Sequence, residues 1–298
     1  MRHDAIIVGG SFAGLSAATY IARGRRRVAV IDAGSARNRF AAHSHGFLAQ
    51  DGADPQAILS TGRRQLAGYA EASLIKATAM DARAIDGGFA VVLDNGDTLE
   101  ATKIVLAFGV SDTLPDVPGL RSRWGRDVLH CPYCHGYEFA GRSLGVLHTA
   151  PHSAHQAMLI AEWGRTTLFL DGADMPDAST CEALGGRGVT IEASPVRSLV
   201  GCDGRPLDVL LEDGRSALVG ALFIAAPTRL NSDLAERLGC AVDDGPLGPI
   251  IRTDAEKMTT VPGVYAAGDV ARAPHTVTWA ASDGVTAGLS VHRTLVFG

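Results

Sequence analysis

The sequence predicts an α/β protein made of two Rossmann-like, three-layer dinucleotide-binding domains, the second inserted into the first. Two observations support this prediction. A strand–turn–helix–strand pattern at residues 4–34 recurs at residues 142–172. Later, the segment "TTVPGVYAAGDVA" contains a short strand that the second unit does not need, so the chain is expected to return to the first. We therefore predict a discontinuous domain of residues 1–112 and 244–298, and an inserted module of residues 113–243.

Each unit follows from its hydrophobic pattern. Short apolar runs bounded by glycine and charged residues are typical of buried strands, and alternation of such strands with helices predicts parallel sheets covered by helices. The predicted strands are 5–8, 28–31 and 102–109 in the first unit and 144–147, 167–170 and 220–227 in the second, with a helix at 153–163.

Composition narrows the class of protein. Of 298 residues, 46% are hydrophobic and 20% are charged, which is typical of a globular chain and not of a disordered one. The net charge of -5 and the single basic run at Arg23–Arg27, without interleaved aromatic residues, do not favour a nucleic-acid partner. No stretch approaches the roughly 20 apolar residues that span a bilayer, and no signal peptide precedes the first strand, so a cytoplasmic protein without a membrane segment is expected.

The turn of the first unit carries a dinucleotide-binding pattern. "GGSFAG" (9–14) approximates G-x-G-x-x-G, and Ser11 is small enough to let a pyrophosphate approach the helix N-terminus. Asp32, at the end of the next strand, is placed to accept a hydrogen bond from an adenosine ribose hydroxyl. A tight turn without a ligand is the alternative. The residues predicted here are Gly9, Gly10, Ser11, Phe12, Ala13, Gly14 and Asp32.

"AAGDV" (266–270) adds a second signal. Asp269 follows Gly268 at a strand end and can hold a ribityl hydroxyl, although an ordinary helix N-cap Asp has the same pattern. Together with the glycine turn, and separated from it by the inserted module, this motif predicts FAD. The predicted cofactor-binding set is completed by Ala33, Asn38, Arg39, His45, Ala107, Gly109, Gly268, Asp269, Thr276 and Val277.

"HCPYCHGYE" (130–138) allows three interpretations of Cys131 and Cys134. A zinc site needs about four ligands, usually from two paired clusters, and the sequence has no second CxxC. A buried, inert pair of thiols is the second interpretation. The third is a redox pair, because cysteines at i and i+3 at a helix N-terminus can close a small disulfide and the helix dipole favours a thiolate. We predict a redox pair and no metal. The isolated cysteines, expected to be small apolar residues, are Cys181, Cys202 and Cys240.

Taken in order, "IIVGGSFAGLSAA", "WGRDVLHCPYCHGYE" and "TTVPGVYAAGDVA" resemble the low-molecular-weight thioredoxin reductases over essentially the whole chain. The resemblance implies FAD, an inserted NADPH-domain-like module that carries the CxxC, and a homodimer. Within the family, the "CHGYE" ending and residues 37–52 are similar to dithiol oxidases of the gliotoxin and holomycin type. Because the second cysteine of the family faces the flavin, Cys134 is implied to exchange electrons with FAD and Cys131 to exchange with the substrate.

Three histidines near these motifs are candidates for proton transfer. His135 stands where thioredoxin reductases carry Asp, and an imidazole there can take a proton from a dithiol or return one to a thiolate. Capping of the local turn is its alternative. His43 and His45 lie either near the flavin or substrate entrance, as the dithiol-oxidase resemblance implies, or on a polar surface.

The second module departs from the reductase pattern. Its turn, "HTAPHSA" (148–154), has no glycine, and Pro151 removes a backbone N–H that a phosphate could use. The following "LDGADMPD" (170–177) is acidic where the 2′-phosphate of NADPH needs basic residues. NADPH use is therefore doubtful.

Three functions remain open at this point. The predicted one is FAD-dependent oxidation of a dithiol to a disulfide through Cys131 and Cys134, with oxygen or another acceptor taking the electrons. The second is an NADPH-dependent disulfide reductase of the thioredoxin-reductase type. The third is a flavin-binding redox sensor without turnover. The partner is expected to be a small-molecule dithiol or disulfide, or a thioredoxin-like protein, and the sequence does not choose between them.

Overall fold

Strands and helices alternate along most of the chain. The computed structural model describes residues 2–201 and 204–298. Its strands are β1 His3–Val8, β2 Val28–Ile31, β3 Ala72–Ile75, β4 Ala79–Ile85, β5 Gly88–Leu93, β6 Thr98–Leu106, β7 Val110–Asp112, β8 Val128–Leu129, β9 Ser143–Leu147, β10 Arg165–Phe169, β11 Thr190–Glu192, β12 Val196–Val200, β13 Leu207–Leu211, β14 Ser216–Val219, β15 Ala221–Phe223, β16 Thr228–Leu230, β17 Val242–Gly245, β18 Gly248–Ile251 and β19 Val264–Ala266. Its helices are α1 Phe12–Arg23, α2 Pro55–Leu66, α3 Leu120–Arg123, α4 Pro132–His135, α5 Ser153–Ile160, α6 Ala178–Gly186, α7 Leu234–Arg237 and α8 Val277–Phe297, with 3₁₀ turns at Arg37–Phe40, Tyr137–Phe139 and Asp269–Ala271.

The first sheet contains strands from both ends of the sequence. β3, β2, β1 and β6 lie side by side in parallel, and β19 pairs in parallel with the end of β6. β4 and β5 add an antiparallel edge along the beginning of β6. The late strand in "TTVPGVYAAGDVA" therefore joins the first sheet, as expected for a second unit inserted into the first.

The second sheet is parallel throughout, in the order β11, β10, β9, β15, β8. Beside it, β12, β13 and β14 form a separate antiparallel sheet. The predicted fold class, two Rossmann-like α/β units with parallel sheets, is confirmed. The antiparallel sheet of the second module was not predicted from the sequence.

Alternation along β1 explains why the first sheet needs covering on both faces. Ile6 and Val8 belong to one core cluster, whereas Ala5 and Ile7 belong to the cluster on the opposite face, and all four are buried. Burial of each large aliphatic side chain of this kind contributes about 1.5–3 kcal/mol. Helices α1 and α8 pack against each other on the second of these faces, and Leu234 and Ala235 of α7 pack in the cluster on the first.

Two strands connect the modules. β7 leaves the first module and β16 returns to it, and they pair antiparallel with Asp112 opposite Thr228. The predicted boundaries at 112/113 and 243/244 stay predictions. Leu234 and Ala235 of α7 and Cys240 pack in a core cluster of the first sheet, so the packing favours a return of the chain before residue 244.

Two predictions about chain type can be compared with the described residues. Within residues 2–201 and 204–298, no helix has both the length and the apolar character needed to cross a membrane. Cys240 is buried and Cys181 is partly buried, and both are free thiols. Cys202 lies outside the described residues.

Candidate functional site

A cavity of about 900 Å³ runs from the carboxyl ends of the first sheet to the CxxC. Ligand cavities of about 300–1,000 Å³ are typical of small-molecule and cofactor sites. Most of the predicted site residues line it. They are Gly9, Gly10, Ser11, Phe12, Ala13, Asp32, Ala33, Asn38, Ala107, Gly109, Cys131, Cys134, His135, Gly268, Asp269, Thr276 and Val277.

Three predicted cofactor residues do not line this cavity. Gly14 packs beneath the turn, where an added Cβ would collide with the carbonyl oxygen of Gly9. The side chain of Arg39 is exposed, because its guanidinium donates to the Ala36 carbonyl at 2.9 Å and stacks on Phe40. His45 lies instead beside Glu138, close to the CxxC turn.

The glycine turn brings the backbone of the first unit close to the neighbouring strand ends. Gly9 has a φ of 118°, and a Cβ added there would meet the carbonyl of Ala107. A Cβ added at Gly10 would lie 2.6 Å from Oδ2 of Asp32. Ser11 begins α1 with no side-chain hydrogen bond to the helix. The turn therefore presents the N-terminus of α1 to the cavity without a side chain that covers it.

Asp32 has a protein partner that sequence patterns did not predict. Arg63 of α2 donates from Nη2 to Oδ2 of Asp32 at 2.8 Å, and also to the Gly10 carbonyl at 3.2 Å. The N–H of Gly34 donates to Oδ1 of Asp32 at 2.8 Å. These contacts fix the carboxylate at the mouth of the turn, and they place a guanidinium in the cavity wall beside it.

Arg37 lies at the centre of a second group, which joins the predicted Asp269 to residues that were not predicted. Arg37 donates to Asp269 Oδ2 at 3.1 Å and binds the largely buried Asp112 with two of its nitrogens. Arg37 Nη1 also lies 2.7 Å from Nδ1 of His275. A guanidinium can only donate, so this ring nitrogen accepts and the imidazole is neutral. Burial lowers the pKa of His275, in agreement with this assignment.

The CxxC forms a disulfide between Cys131 and Cys134, with 5.3 Å between the two Cα atoms. Cys131 is the N-cap of α4, and its sulfur accepts a hydrogen bond from the Cys134 N–H at 3.2 Å. Pro132 occupies the first helical position, where a missing N–H costs nothing. Because α4 is only one turn long, its dipole is small, and the stabilisation of a thiolate at Cys131 comes from this local hydrogen bond.

His135 and His130 stand on either side of the cysteines, and both line the cavity. Burial lowers the pKa of His135, whereas the Glu138 carboxylate raises it and the proximity of His45 lowers it. His130 was not predicted. Its Nδ1 lies 3.1 Å from the Ile224 carbonyl, and burial, with the Arg37 charge, lowers its pKa to about 4.

The two remaining predicted histidines take different positions. His45 places Nε2 3.4 Å from Glu138 and Nδ1 3.5 Å from Asp51. His43 is exposed, and its Nδ1 lies 3.0 Å from the Gly52 carbonyl. Of the two, only His45 is in contact with the turn that carries the disulfide.

The corresponding turn of the second module is closed by its own side chain. Ser153 Oγ accepts hydrogen bonds from the N–H groups of Thr149 at 3.1 Å and Ala150 at 3.3 Å. A smaller cavity beside this turn is lined by Pro151, Asp174 and Asp177. Hydrogen bonds from Ser179 and Thr180 lower the pKa of Asp177 to about 2, so its charge is retained at neutral pH. The space beside this turn therefore presents two carboxylates, and His148 and Thr180 are the other polar side chains that line it.

The residues missed by sequence reasoning are Arg37, Arg63, Asp112, His130 and His275. Arg37 and Asp112 are 75 positions apart, so no local spacing relates them. His130 directly precedes Cys131, and this adjacency was the only signal in the sequence. The first-module cavity, with its uncovered helix N-terminus and two strand-end carboxylates, fits a dinucleotide cofactor.

Comparisons with known proteins agree with this geometry. A family model described as pyridine nucleotide-disulphide oxidoreductase matches residues 3–147 and 170–284. The chain is 32% identical over 309 residues to thioredoxin reductase sirT of Leptosphaeria maculans, with 97% of this chain and 93% of that protein covered. An oxidoreductase structure from Agrobacterium tumefaciens superposes with a TM-score of 0.95 at 44% identity, covering 100% and 99% of the two chains. The crystal structure of HlmI gives 0.92 at 38% identity, covering 99% and 93%.

The matched ranges take in the glycine turn, the disulfide and "AAGDV", so the agreement includes every part of the site. This family uses FAD, which the first-module cavity fits. The chain belongs to the pyridine nucleotide-disulphide oxidoreductase family, among its thioredoxin-reductase-like oxidoreductases.

Proposed function

We propose that this protein oxidises a dithiol to a disulfide through Cys131 and Cys134, with FAD in the first-module cavity and oxygen or another acceptor taking the electrons. The substrate is a small dithiol or a thioredoxin-like protein. NADPH has no part in the proposed reaction. The family alone does not separate this direction from reduction by NADPH, so the difference between the two modules carries the proposal.

The observation that carries it is the hydrogen bonding of Ser153. In the second module the N–H groups of Thr149 and Ala150, where a nucleotide phosphate would bind, are held by Ser153 Oγ. Asp174 and Asp177 line the space beside them, and their charges repel a 2′-phosphate. The redox pair, in contrast, opens into the large cavity of the first module.

The residues that would hold FAD are those of the glycine turn, with Asp32 and Asp269 at the two strand ends. When bound in this cavity, FAD would supply a two-electron acceptor. The chain's own chemistry is thiol–disulfide exchange: a substrate thiolate attacks Cys131, the Cys131–Cys134 bond breaks, and Cys134 leaves as a thiolate. His135 is placed to take the proton of the attacking thiol, because burial keeps its imidazole neutral at pH 7.

The test is an anaerobic titration of the flavin-loaded protein, followed by flavin absorbance, with dithiothreitol and separately with NADPH. We expect dithiothreitol to bleach the flavin or raise a long-wavelength thiolate–flavin band, and NADPH to change nothing. Cys131→Ser is the control, since it removes the sulfur that meets the substrate and leaves the glycine turn of the first module unchanged.

The second candidate is an NADPH-dependent disulfide reductase, because several relatives, sirT among them, are named thioredoxin reductases. Rapid, stoichiometric bleaching by NADPH would select it and overturn the proposal. Absence of bleaching with either reagent, together with a partner that binds differently to Cys131→Ser, would select a redox sensor.

A homodimer and a cytoplasmic location belong to the same proposal. Trp279, Leu289 and Phe297 of α8 are exposed apolar residues, with exposed fractions of 39%, 43% and 84%. Burial of such side chains against a second copy would favour a dimer. Sedimentation of the flavin-loaded protein tests this, and a monomer at all concentrations would contradict it.

A further inference from the structure

If the protein oxidises dithiols, as proposed above, each turnover releases two protons at the disulfide. The inference drawn below rests on that proposed function. His135 is the base beside the cysteines, but one neutral imidazole accepts only one proton. His135 can therefore accept the second proton only after it has released the first. The residues around His135 determine how that happens.

Glu138 lies in the 3₁₀ turn that directly follows α4, on the same short segment as His135. Its carboxylate is partly exposed, at 39% of the side chain, and its charge acts on His135. A carboxylate in this position can accept a proton from an imidazolium and is itself close to solvent.

His45 continues the series from the first module. Its Nε2 lies 3.4 Å from Glu138 Oε1, and its Nδ1 lies 3.5 Å from Asp51 Oδ1. An imidazole with a carboxylate at each ring nitrogen can take a proton on one side and release another on the opposite side. His45 is 21% exposed, less than Glu138, whereas Asp51 is 73% exposed, so the series ends at its most exposed carboxylate.

We propose that Glu138 and His45 form a proton relay that carries the protons of dithiol oxidation from His135 to Asp51 and solvent. The titratable groups next to this relay are His135, Asp51 and His43, and the ring centroid of His43 lies 6.3 Å from that of His45. Glu138 and His45 act through His135, and they do not touch the disulfide themselves.

The steps balance as two exchanges. In the first, a substrate thiol gives its proton to His135 and its sulfur bonds to Cys131, while the Cys131–Cys134 bond breaks and Cys134 leaves as a thiolate. In the second, the other substrate thiol gives up its proton and attacks the substrate sulfur of the mixed disulfide, so that Cys131 leaves as a thiolate. Overall, the substrate gains one S–S bond and the protein loses one, two electrons stay on the cysteines, and two protons leave by the relay.

The test is anaerobic stopped-flow reduction of the flavin-loaded protein by dithiothreitol, across a pH series and in D₂O, for the wild type, Glu138→Gln and His45→Asn. We expect Glu138→Gln to slow the reductive phase about tenfold, with a larger solvent isotope effect and a pH profile displaced from that of the wild type. Glu138→Asp should recover part of the rate. Added imidazole or formate buffer should accelerate Glu138→Gln and leave the wild type unchanged.

Matched controls separate a relay from a structural role. Glu192→Gln removes another ion-paired glutamate of the second module, and His155→Asn removes an exposed histidine of α5; both should reduce at the wild-type rate. Slower reduction in Glu138→Gln with an unchanged pH profile and no buffer rescue would overturn the relay. So would wild-type rates in both relay variants. Failure of dithiothreitol to reduce the wild type would instead contradict the proposed function.

Discussion

The two βαβ units of this chain have similar strand–turn–helix architecture but opposite hydrogen bonding in their turns. In the first, Ser11 begins α1 without a side-chain hydrogen bond, and the turn opens into the large cavity. In the second, Ser153 turns its hydroxyl back onto the N–H groups of Thr149 and Ala150. Both turns satisfy the packing of a parallel sheet, but only one leaves its donors to a ligand.

This difference shows that a Rossmann-like unit keeps its fold whether the N–H groups of its turn face a cavity or bond to a side chain of the protein. The buried residues of β9 and β15 maintain the second sheet, whereas the residues of the turn decide whether a phosphate can approach. Fold similarity therefore predicts two nucleotide sites, and the hydrogen bonds of the turns predict one.

The largest expected effect is on the rate of flavin reduction by a dithiol, which depends on the disulfide that faces the first-module cavity. Cys134→Ser removes the sulfur implied to face the flavin, so dithiol-dependent flavin reduction should fall at least about 10³-fold, as for loss of a nucleophile. The flavin content should not change, because the glycine turn is untouched. Stopped-flow absorbance measures the rate. Cys181→Ser, which removes a free thiol of the second module, is the control, and an equal loss there would contradict the assignment.

The next effect tests the first turn alone. Gly9→Ala places a Cβ against the Ala107 carbonyl at a φ of 118°, which should lower the free energy of unfolding by about 3 kcal/mol and abolish flavin binding. Urea unfolding and the ratio of flavin to protein absorbance measure the two changes. Gly96→Ala, at a φ of 87° with open space around it, should cost about 1 kcal/mol and keep the flavin. If Gly9→Ala retained its flavin, the first turn would not be needed for cofactor binding, and the proposed difference between the two turns would be contradicted.

His130, in the second module but facing the first-module cavity, should make stability depend on pH. Burial lowers its pKa from the usual 6.5 to about 4, so between these values the unfolded chain binds a proton that the native chain does not. The free energy of unfolding should therefore be unaffected by this histidine above pH 6.5. It should fall by at most about 3 kcal/mol as the pH is lowered towards 4. Urea unfolding at each pH should show a flatter profile in His130→Gln, and an identical profile in that variant would contradict the assignment.

The smallest effect concerns the second turn. Ser153→Ala leaves two N–H groups without their acceptor, which should lower the free energy of unfolding by about 1 kcal/mol. Flavin content and dithiol-dependent reduction should stay at wild-type values, and NADPH should still not bleach the flavin, because Asp174 and Asp177 remain. Appearance of NADPH-dependent bleaching would show that Ser153 alone excludes the nucleotide.

Sequence patterns predicted the parts of this molecule that depend on local order. The apolar run of β1, the glycine turn and the CxxC are each contained within a few residues, and the structure brings them to one cavity. The partners of the predicted carboxylates were not predictable in this way. Arg63 meets Asp32 and Arg37 meets Asp269 only because distant segments converge at the same sheet edge. The side chain of Arg39, predicted among the cofactor residues, lies outside the cavity lining, and its guanidinium stacks on Phe40.

The paired strands β7 and β16 have an evolutionary consequence. Because Asp112 lies opposite Thr228, the two ends of the intervening segment are neighbours, and an insertion at this point leaves the strand order of the host sheet unchanged. A guest segment held in this way can accumulate substitutions independently of its host. A duplicated nucleotide-binding unit could thus lose its original ligand, keep its place in the chain, and serve its host as the carrier of a pair of cysteines.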